Sequence, residues 1–472
     1  MKSPIVPMDR RWKIICPSYT GTFKKAAAIV NEVISADVHY IPEVVTAAED
    51  KNCNLVVIGA PDNELVFSLL GEKPAEDGYI VKVFDNPFAE GRKVAVITGY
   101  GPAEILYAAA DFADDYKALA RRSDRCPMFQ AFNHPSYHNT HPDYYINTVP
   151  FVKRRGIWTW GHSIYDYKKF FDNMARIKLN RVTIWNDFVP LNMEDVIDYA
   201  HSLGISVVLG FSWGWRTEID ISDMNNLPAW SDSVVKNYQE NYAHLNHDGI
   251  YFQTFTETTK SNLNGKSIAE TAVEWTNSIG SRLLELYPNL EIQFGLHATS
   301  VRDSLDAIAK VDPRISIIWE DCGAFPWHYV ASETGDFAET EEFTKKIANL
   351  RGGKAVGGVF KGQVCLDWTD FEHQTGPFIM GENPERADVR RDLGRKIVKQ
   401  NQSWWFENAD CVAKIVQIMG ADSDLSDLFE DGLLEEHIWF TAALYAEILW
   451  TGGKDTTRSI QKVSERGNVV FA

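Results

Sequence analysis

Asp248-Gly249-Ile250-Tyr251-Phe252-Gln253-Thr254-Phe255-Thr256-Glu257 is the stretch whose reading decides the fold. Its β-branched and aromatic side chains and its lack of helical spacing make it a buried strand. The strand opens at an Asp-Gly turn signal and ends on one carboxylate, after which Thr258, Thr259 and a polar loop follow. A Glu at the carboxyl end of an apolar strand sits where α/β barrels carry their chemistry.

The flanking chain repeats this unit. From Arg155 the pattern is strand, loop, helix: Gly156 to Trp160 is strand one, and Tyr167 to Ile177 a helix closed by Leu179-Asn180. Arg181 to Asp187 is strand two, Met193 to Leu203 a helix stopped by Gly204, and Ile205 to Trp215 strand three. The opening stretch is strand four, with a helix from Ile268 to Leu286 behind it. Leu290 to His297 is strand five with a helix from Val301 to Ala309, Ile315 to Asp321 strand six, and Ala355 to Gly362 strand seven. For strand eight, Cys411 to Met419 fits either a strand or a helix, because Val412, Ile415, Val416 and Met419 also keep a 3.6-residue period. An apolar helix, Trp439 to Trp450, ends the pattern. Repeats this regular predict an α/β fold with a (β/α)8 TIM barrel over residues 151–472, the alternative being a doubly wound open sheet.

Residues 1–125 read as a separate, small α/β domain. Trp12 to Pro17, Leu55 to Gly59, Gly78 to Phe84 and Lys93 to Gly99 are its strands, and Thr22 to Val33 is a helix with Ala26, Ile29, Val30 and Val33 on its apolar face. Leu55-Val56-Val57-Ile58 is apolar throughout, so it is expected to be covered on both faces. A helix opens at Gly101-Pro102, with Pro in its first turn. No G-x-G-x-x-G follows the first strand, so a dinucleotide site is not supported. Residues 126–150 read as a turn-rich linker, in which His134, His138 and His141 are surface or capping groups in preference to metal ligands.

Asp77-Gly78-Tyr79-Ile80-Val81, then Val94 to Gly99 and the helix Gly101-Pro102-Ala103-Glu104-Ile105-Leu106-Tyr107-Ala108-Ala109-Ala110-Asp111-Phe112, resemble the small N-terminal domain of several exo-glycosidases. These are the β-hexosaminidases, α-glucuronidases and α-N-acetylglucosaminidases, and the resemblance implies a (β/α)8 barrel after that domain. Ala442 to Trp450 likewise resembles the last barrel helix of the hexosaminidases.

Charge and composition narrow the classes. The net charge is −18 and no basic run of useful length exists, so neither nucleic acid nor an anionic membrane is an expected partner. The six Cys are scattered, with no C-x-x-C, and read as buried free thiols. No stretch of 18 apolar residues occurs, and the N-terminus shows no signal-peptide core. The chain as given is expected in the cytoplasm, or outside it if a leader has been removed. No cofactor is expected. The expected partners are a carbohydrate substrate and a second copy of the chain in a homodimer.

Strand ends of a (β/α)8 barrel form its site. Here they supply Trp160, His162, Asn186, Asp187, Trp213, Trp215, Glu257, His297, Glu320 and Asp321, and past strand seven Asp367, Trp368, Glu372 and His373. Carboxylates, amides and aromatics without a Ser/His/Asp order are the inventory of a glycosidase: one carboxyl protonates the leaving oxygen, another supports the oxocarbenium-like transition state, and rings hold the sugar. Glu257 is the expected acid/base and Glu320 the expected second carboxylate. Phe255-Thr256-Glu257 resembles the strand end that carries the acid/base of α-N-acetylglucosaminidases, while Thr256 stands where β-hexosaminidases place an Asp that orients the substrate acetamide. Trp319-Glu320-Asp321 loosely resembles the nucleophile segment of α-N-acetylglucosaminidases.

Asp321 neighbours Glu320 on the opposite strand face, and Trp327 lies in an aromatic loop suited to walling a sugar pocket. Asp367 or Glu372 is the alternative second carboxylate, with Trp368 and His373 as substrate contacts; the bland reading of Asp367 is a helix cap. Asn186 and Asp187 read as hydroxyl binders, and Trp213 and Trp215, two apart, as one wall. His297 reads as a sugar contact, a partner tuning a carboxylate, or a satisfied core His. Two rival classes remain at this point. A metal-dependent barrel hydrolase needs H-x-H after strand one, where the sequence is Thr159-Trp160-Gly161-His162. A non-catalytic carbohydrate-binding barrel needs only the aromatic walls.

Overall fold

The computed structural model describes residues 11–38, 40–122, 141–160, 164–186, 188–211, 213, 223–253, 256, 260–263, 265–297, 301–322, 337–363, 376–381, 384–429 and 438–471. In the small domain β1 (Trp12–Ile15), β2 (Glu43–Val45), β3 (Asn54–Ile58), β4 (Tyr79–Asp85), β5 (Lys93–Gly99) and β6 (Tyr144–Thr148) form one sheet, ordered β2-β1-β3-β5-β4-β6. β4 runs antiparallel to both of its neighbours and the other pairings are parallel. The apolar third strand is covered on both faces, as its composition requires. Val56 and Ile58 pack beneath α1 (Gly21–Asp37) and α3 (Pro102–Arg122), and Leu55 and Val57 meet α2 (Glu64–Leu70). One correction concerns Tyr144 to Thr148: assigned to the linker from its turn-rich surroundings, it is the edge strand of this sheet.

Eight parallel strands then close a barrel. They are β7 (Arg154–Trp160), β8 (Arg181–Trp185), β9 (Ser206–Gly210), β10 (Gly249–Gln253), β13 (Glu291–Leu296), β14 (Ile315–Cys322), β15 (Val356–Gln363) and β16 (Asp424–Phe429). A hairpin of β11 (Asn262–Leu263) and β12 (Lys266–Ser267) leads into the helix after β10. The outer layer holds α4 (Tyr167–Arg176), α5 (Met193–His201), α6 (Leu227–Asn241), α7 (Ile268–Leu286), α8 (Leu305–Ile308), α9 (Phe337–Ala348), α10 (Pro384–Met419), α11 (Phe440–Thr451) and α12 (Thr456–Ser464). Side-chain caps fix where several begin: Asp166 accepts from Lys169 N at 3.0 Å for α4, and Asp455 from Arg458 N at 2.9 Å for α12. Among the described residues no helix is long and apolar enough to cross a membrane.

The eighth strand departs from expectation. Cys411 to Met419 is the end of α10, whose periodic Val412, Ile415 and Val416 bury one helical face, and the strand is Asp424 to Phe429. Its sequence, Asp-Leu-Ser-Asp-Leu-Phe, looks too polar for a buried strand, yet all six residues are buried. Arg181 of β8 and Gln293 of β13 bond Asp424, and the Gly362 N–H of β15 donates to Asp427 Oδ1 at 2.9 Å, partners that no local pattern announces.

Helix α11 is buried on every side and joins the barrel to the small domain. Trp450 lies 5.3 Å from the Tyr79 ring and donates to Thr148 Oγ1 at 2.9 Å. Beside it is a buried charge cluster. Lys178 Nζ is 2.9 Å from Asp111 of α3, and Arg466 reaches Glu447 of α11 at 2.8 Å and Asp114 at 3.4 Å. Tyr79 donates its hydroxyl to Asp111. Lys178 holds φ at +68°, a conformation better suited to Gly or Asn after a helix, so its ammonium is what the position retains.

Burial would raise the Glu447 carboxyl, but Lys462, Lys178 and Arg466 outweigh it and lower it from the ordinary 4.5 to about 2. The same opposition, led by Lys178, holds Asp111 well below its ordinary value. Groups depressed in the folded state stabilise above their unfolded pKa and lose that contribution as pH falls through the folded one. Thermal scans from pH 6 down to pH 2 are therefore expected to show Tm falling from about pH 4.5 downward. Glu447 alone accounts for a loss on the order of 3 kcal/mol. A Tm unchanged between pH 4.5 and pH 2.5 would contradict this reading of the cluster.

Candidate active site at the barrel mouth

Strand alternation sorts the lumen into a floor, a plug and a mouth. On the floor, Arg181 of β8 makes two bonds to Glu291, at 2.6 and 3.0 Å, and one to Asp424 at 2.6 Å. Gln293 donates to Asp424 at 2.9 Å and to Glu291 at 2.8 Å. Burial opposes the Arg181 charge, but Asp424 and Glu291 outweigh it and hold the guanidinium well above its ordinary range.

Above the floor Trp158, Trp185, Val208, Tyr251, Ile318, Val359 and Leu428 fill the lumen. The Trp158 ring meets Trp185 and Tyr251 edge-on, each at 5.5 Å. The opposite β9 position is Gly210, where a Cβ would land on the Trp185 side chain. The centre is therefore solid, and any ligand must enter from the carboxyl ends of the strands.

The mouth is built around Glu320. Along β14, Ile315, Ile317 and Trp319 join the outer core, with Trp319 edge-on to Phe343 of α9 at 5.4 Å. Ile318 belongs to the lumen cluster, so alternation turns Glu320 into the barrel, where it is 1% exposed. Tyr251 donates its hydroxyl to Glu320 Oε1, Gln253 donates its amide to Oε2, and His297 Nε2 sits against the same Oε2. Gln253 Nε2 and His297 Nε2 are 3.2 Å apart. The His297 backbone N–H is tied to Thr256 Oγ1 at 3.3 Å, which fixes the end of β13 against the end of β10.

Between them lies Gly295, and a Cβ there would collide with Glu320 Oε1 and the Tyr251 hydroxyl. Gly295→Ala is accordingly expected to cost about 1–3 kcal/mol by overpacking, read from urea denaturation midpoints. A midpoint within error of the wild type would mean that the pair does not need this gap.

Of the expected site residues, the fold brings His297 and Glu320 into contact. Trp160 lies above the plug, tilted against Trp185 at 6.3 Å, and Asn186 is buried just past β8. Trp213 is a correction: it stacks flat on Phe252 with centroids 3.5 Å apart and meets Phe211 edge-on, in the layer between barrel wall and helices. Phe211 and Phe252 both face outward, so the two-residue spacing that aligned Trp213 with Trp215 carries Trp213 away from the mouth. Glu257, Asp187, Trp215, Trp327, Asp367, Trp368, Glu372, His373 and His162 lie outside the described residues, as does the side chain of Asp321.

Tyr251, Gln253 and Lys361 are mouth or lumen residues that the strand-end inventory passed over. Lys361 is 7% exposed, and it shares the inward face of Val359, with Phe360 turned outward. A usable signal exists for one of them, since Gln253 is a polar residue inside an otherwise apolar strand. Among the described residues no group of three or more His, Cys, Asp or Glu is placed to hold a metal ion. Among the described residues the mouth offers the Glu320 carboxylate, fixed on both oxygens by donors from β10 and backed by an imidazole. That is a group suited to charge stabilisation or attack at a bound substrate.

No protein-family model matches the chain, and no curated protein matches it in sequence. Among solved structures, that of CpGH84B aligns over 98% of this chain and 71% of its own, with a TM-score of 0.51 and 11% identity. The GH20 β-N-acetylhexosaminidase from Streptomyces coelicolor A3(2) aligns over 98% and 87%, with a TM-score of 0.48 and 9% identity. The GH20 exo β-N-acetylglucosaminidase of Vibrio harveyi aligns over 96% and 72%, with a TM-score of 0.48 and 11% identity. At such identities the likeness is one of architecture alone, and the CpGH84B alignment agrees with the strand order above: this chain has the fold of a small α/β domain followed by a (β/α)8 barrel.

Proposed function

We propose that the chain is an exo-acting glycoside hydrolase that removes a terminal sugar, with Glu257 as acid/base and Glu320 as the second carboxylate. The observation that supports this best is Glu320 itself: a carboxylate at the carboxyl-terminal mouth of a closed barrel, held by Tyr251, Gln253 and His297. Carboxylates are costly to bury, and one kept in place by three neighbours at the catalytic end of this fold has a use there. In sequence Glu257 comes four residues after the end of β10, the strand that supplies Tyr251 and Gln253. In this reading Glu257 protonates the departing oxygen, and Glu320 faces the anomeric carbon as its positive charge develops.

The test is a panel of chromogenic aryl glycosides covering neutral, N-acetylated and uronic sugars, with Glu257→Gln as control. Turnover of one class, lost in that variant, is the expected result. Sugar binding without turnover, unaffected by Glu257→Gln, would leave a carbohydrate-binding barrel in place of an enzyme. The first-formed anomer, followed by proton NMR, then assigns retention or inversion, which correspond to carboxyl separations of roughly 5–5.5 Å and 6.5–9.5 Å respectively.

A further inference from the structure

Away from the barrel mouth, a cavity of about 290 Å³ lies in the seam between the small domain and the barrel. Helices α1 and α3 of the small domain line one side, and α4 and α5 of the barrel the other. Its walls carry Ile29, Leu106, Ala175 and Leu203, and the small side chains of Ala28 and Ala175 leave the space unfilled. Junctions between domains are where small-molecule sites preferentially form, and an apolar body with a few polar groups is their usual lining.

The polar groups are unevenly satisfied. Lys25 of α1 reaches Asp172 of α4 at 3.4 Å and the Tyr199 hydroxyl of α5 at 3.2 Å, and Tyr199 itself donates to Asp172 at 2.9 Å. That trio is closed on itself. Arg176, on the same cavity wall, is not. Its contact with Asp114 is 4.0 Å long, and the same carboxylate is shared with Arg466 at 3.4 Å. Arg176 Nε is buried and has no hydrogen-bond partner among the described residues. A guanidinium beside apolar walls, partly exposed and holding at 4.0 Å a counter-ion that it shares with Arg466, is short of anionic charge and suits a planar anionic acceptor on its open side.

The geometry points to a binding site for a small monocarboxylate with an apolar body, its carboxylate on Arg176 and its hydrocarbon between Ile29 and Leu203. Phosphate or sulfate suits the seam less well, because the walls offer such a compact ion little beyond the one cation. The bound acid bridges α1 and α4, so it stabilises the docking of the small domain on the barrel. This site is independent of the chemistry proposed for the mouth.

The experiment uses the full chain, with benzoate as probe, benzamide as its neutral isostere, and inorganic phosphate. Calorimetric titration and thermal scans are expected to show one benzoate per chain and a raised Tm, with neither effect from benzamide or phosphate. Arg176→Gln is expected to weaken benzoate by at least about tenfold, the loss of one charge-assisted contact. Ala28→Phe, an exposed position on the lining, is expected to abolish binding by filling the cavity while leaving Tm without ligand close to wild type. Should Arg176→Gln fail to fold, Ala28→Phe decides alone. Benzoate binding that matches benzamide, or that survives Ala28→Phe, overturns the assignment.

Discussion

If the proposed glycosidase reading holds, Glu320→Gln is expected to lower kcat on the best glycoside by about 10³-fold or more, with the folded state retained, the largest functional effect expected of a single substitution among the described residues. The substitution keeps the shape of the side chain and removes its charge, so what is lost is stabilisation that grows as the anomeric carbon becomes positive. Placement contributes too. Tyr251 and Gln253 donate to the two oxygens of Glu320, and an amide in its place presents an N–H₂ to one of these donors. That mismatch adds about 1–3 kcal/mol of destabilisation, small enough to leave a measurable folded protein. Tyr251→Phe removes one anchor and leaves the carboxylate, so its effect on kcat is smaller, roughly tenfold. Glu320→Gly with added azide separates the roles. If Glu320 is the nucleophile, azide takes its place and a glycosyl azide of inverted configuration accumulates. An unchanged kcat in Glu320→Gln would remove Glu320 from the mechanism.

Arg181→Met is expected to carry the largest stability cost, about 3–5 kcal/mol, because it strands the buried Asp424 carboxylate. Arg181 ties β8 to Glu291 of β13 and Asp424 of β16 across the barrel floor, and Asp424 is 6% exposed. Removing the cation leaves the Gln293 amide, a neutral donor at 2.9 Å, to hold the Asp424 carboxylate in place of a direct ion pair. Replacing both ends tests the cause: the double variant Arg181→Met, Asp424→Leu has no stranded charge at that contact and is expected to recover much of the loss. Urea denaturation of the two single variants and the double one gives the coupling. If the double variant is as unstable as the sum of the singles, charge pairing is not what the floor depends on.

Strand placement was legible because seven of the eight barrel strands are apolar runs between helical patterns. β16 was not legible, since its Asp424 faces the lumen floor, where Arg181 and Gln293 answer it from strands far away in sequence. The 36-residue helix α10 added to the difficulty, because its final turns offer the β-favouring Val and Ile that a strand also uses. Tyr144 to Thr148 escaped notice for a related reason. Edge strands have one uncovered side, so their alternation is weak, and β6 is partly exposed along its length.

Glu320 shows how far strand pattern reaches. Alternation alone states that only one of Glu320 and Asp321 faces the lumen, and the fold selects Glu320. For Trp213 the same reasoning gave a shared direction with Trp215 but not its sense, and the packing on Phe252 turned it outward. Tyr251 read as plain strand core, and only the closed barrel brings its hydroxyl, with the Gln253 amide, onto the two oxygens of Glu320.

The sequence by itself determined the α/β class, the two-part organisation, most strand positions and the carboxylate-rich strand ends, since these follow from periodicity and side-chain type within a short window. The tertiary structure alone decided the eighth strand, the floor built on Arg181, the direction of Trp213 and the set of donors around Glu320. Each depends on which strands become neighbours when the barrel closes. That closure brings residues 69 positions apart, Tyr251 and Glu320, into one hydrogen bond, a distance no local pattern spans.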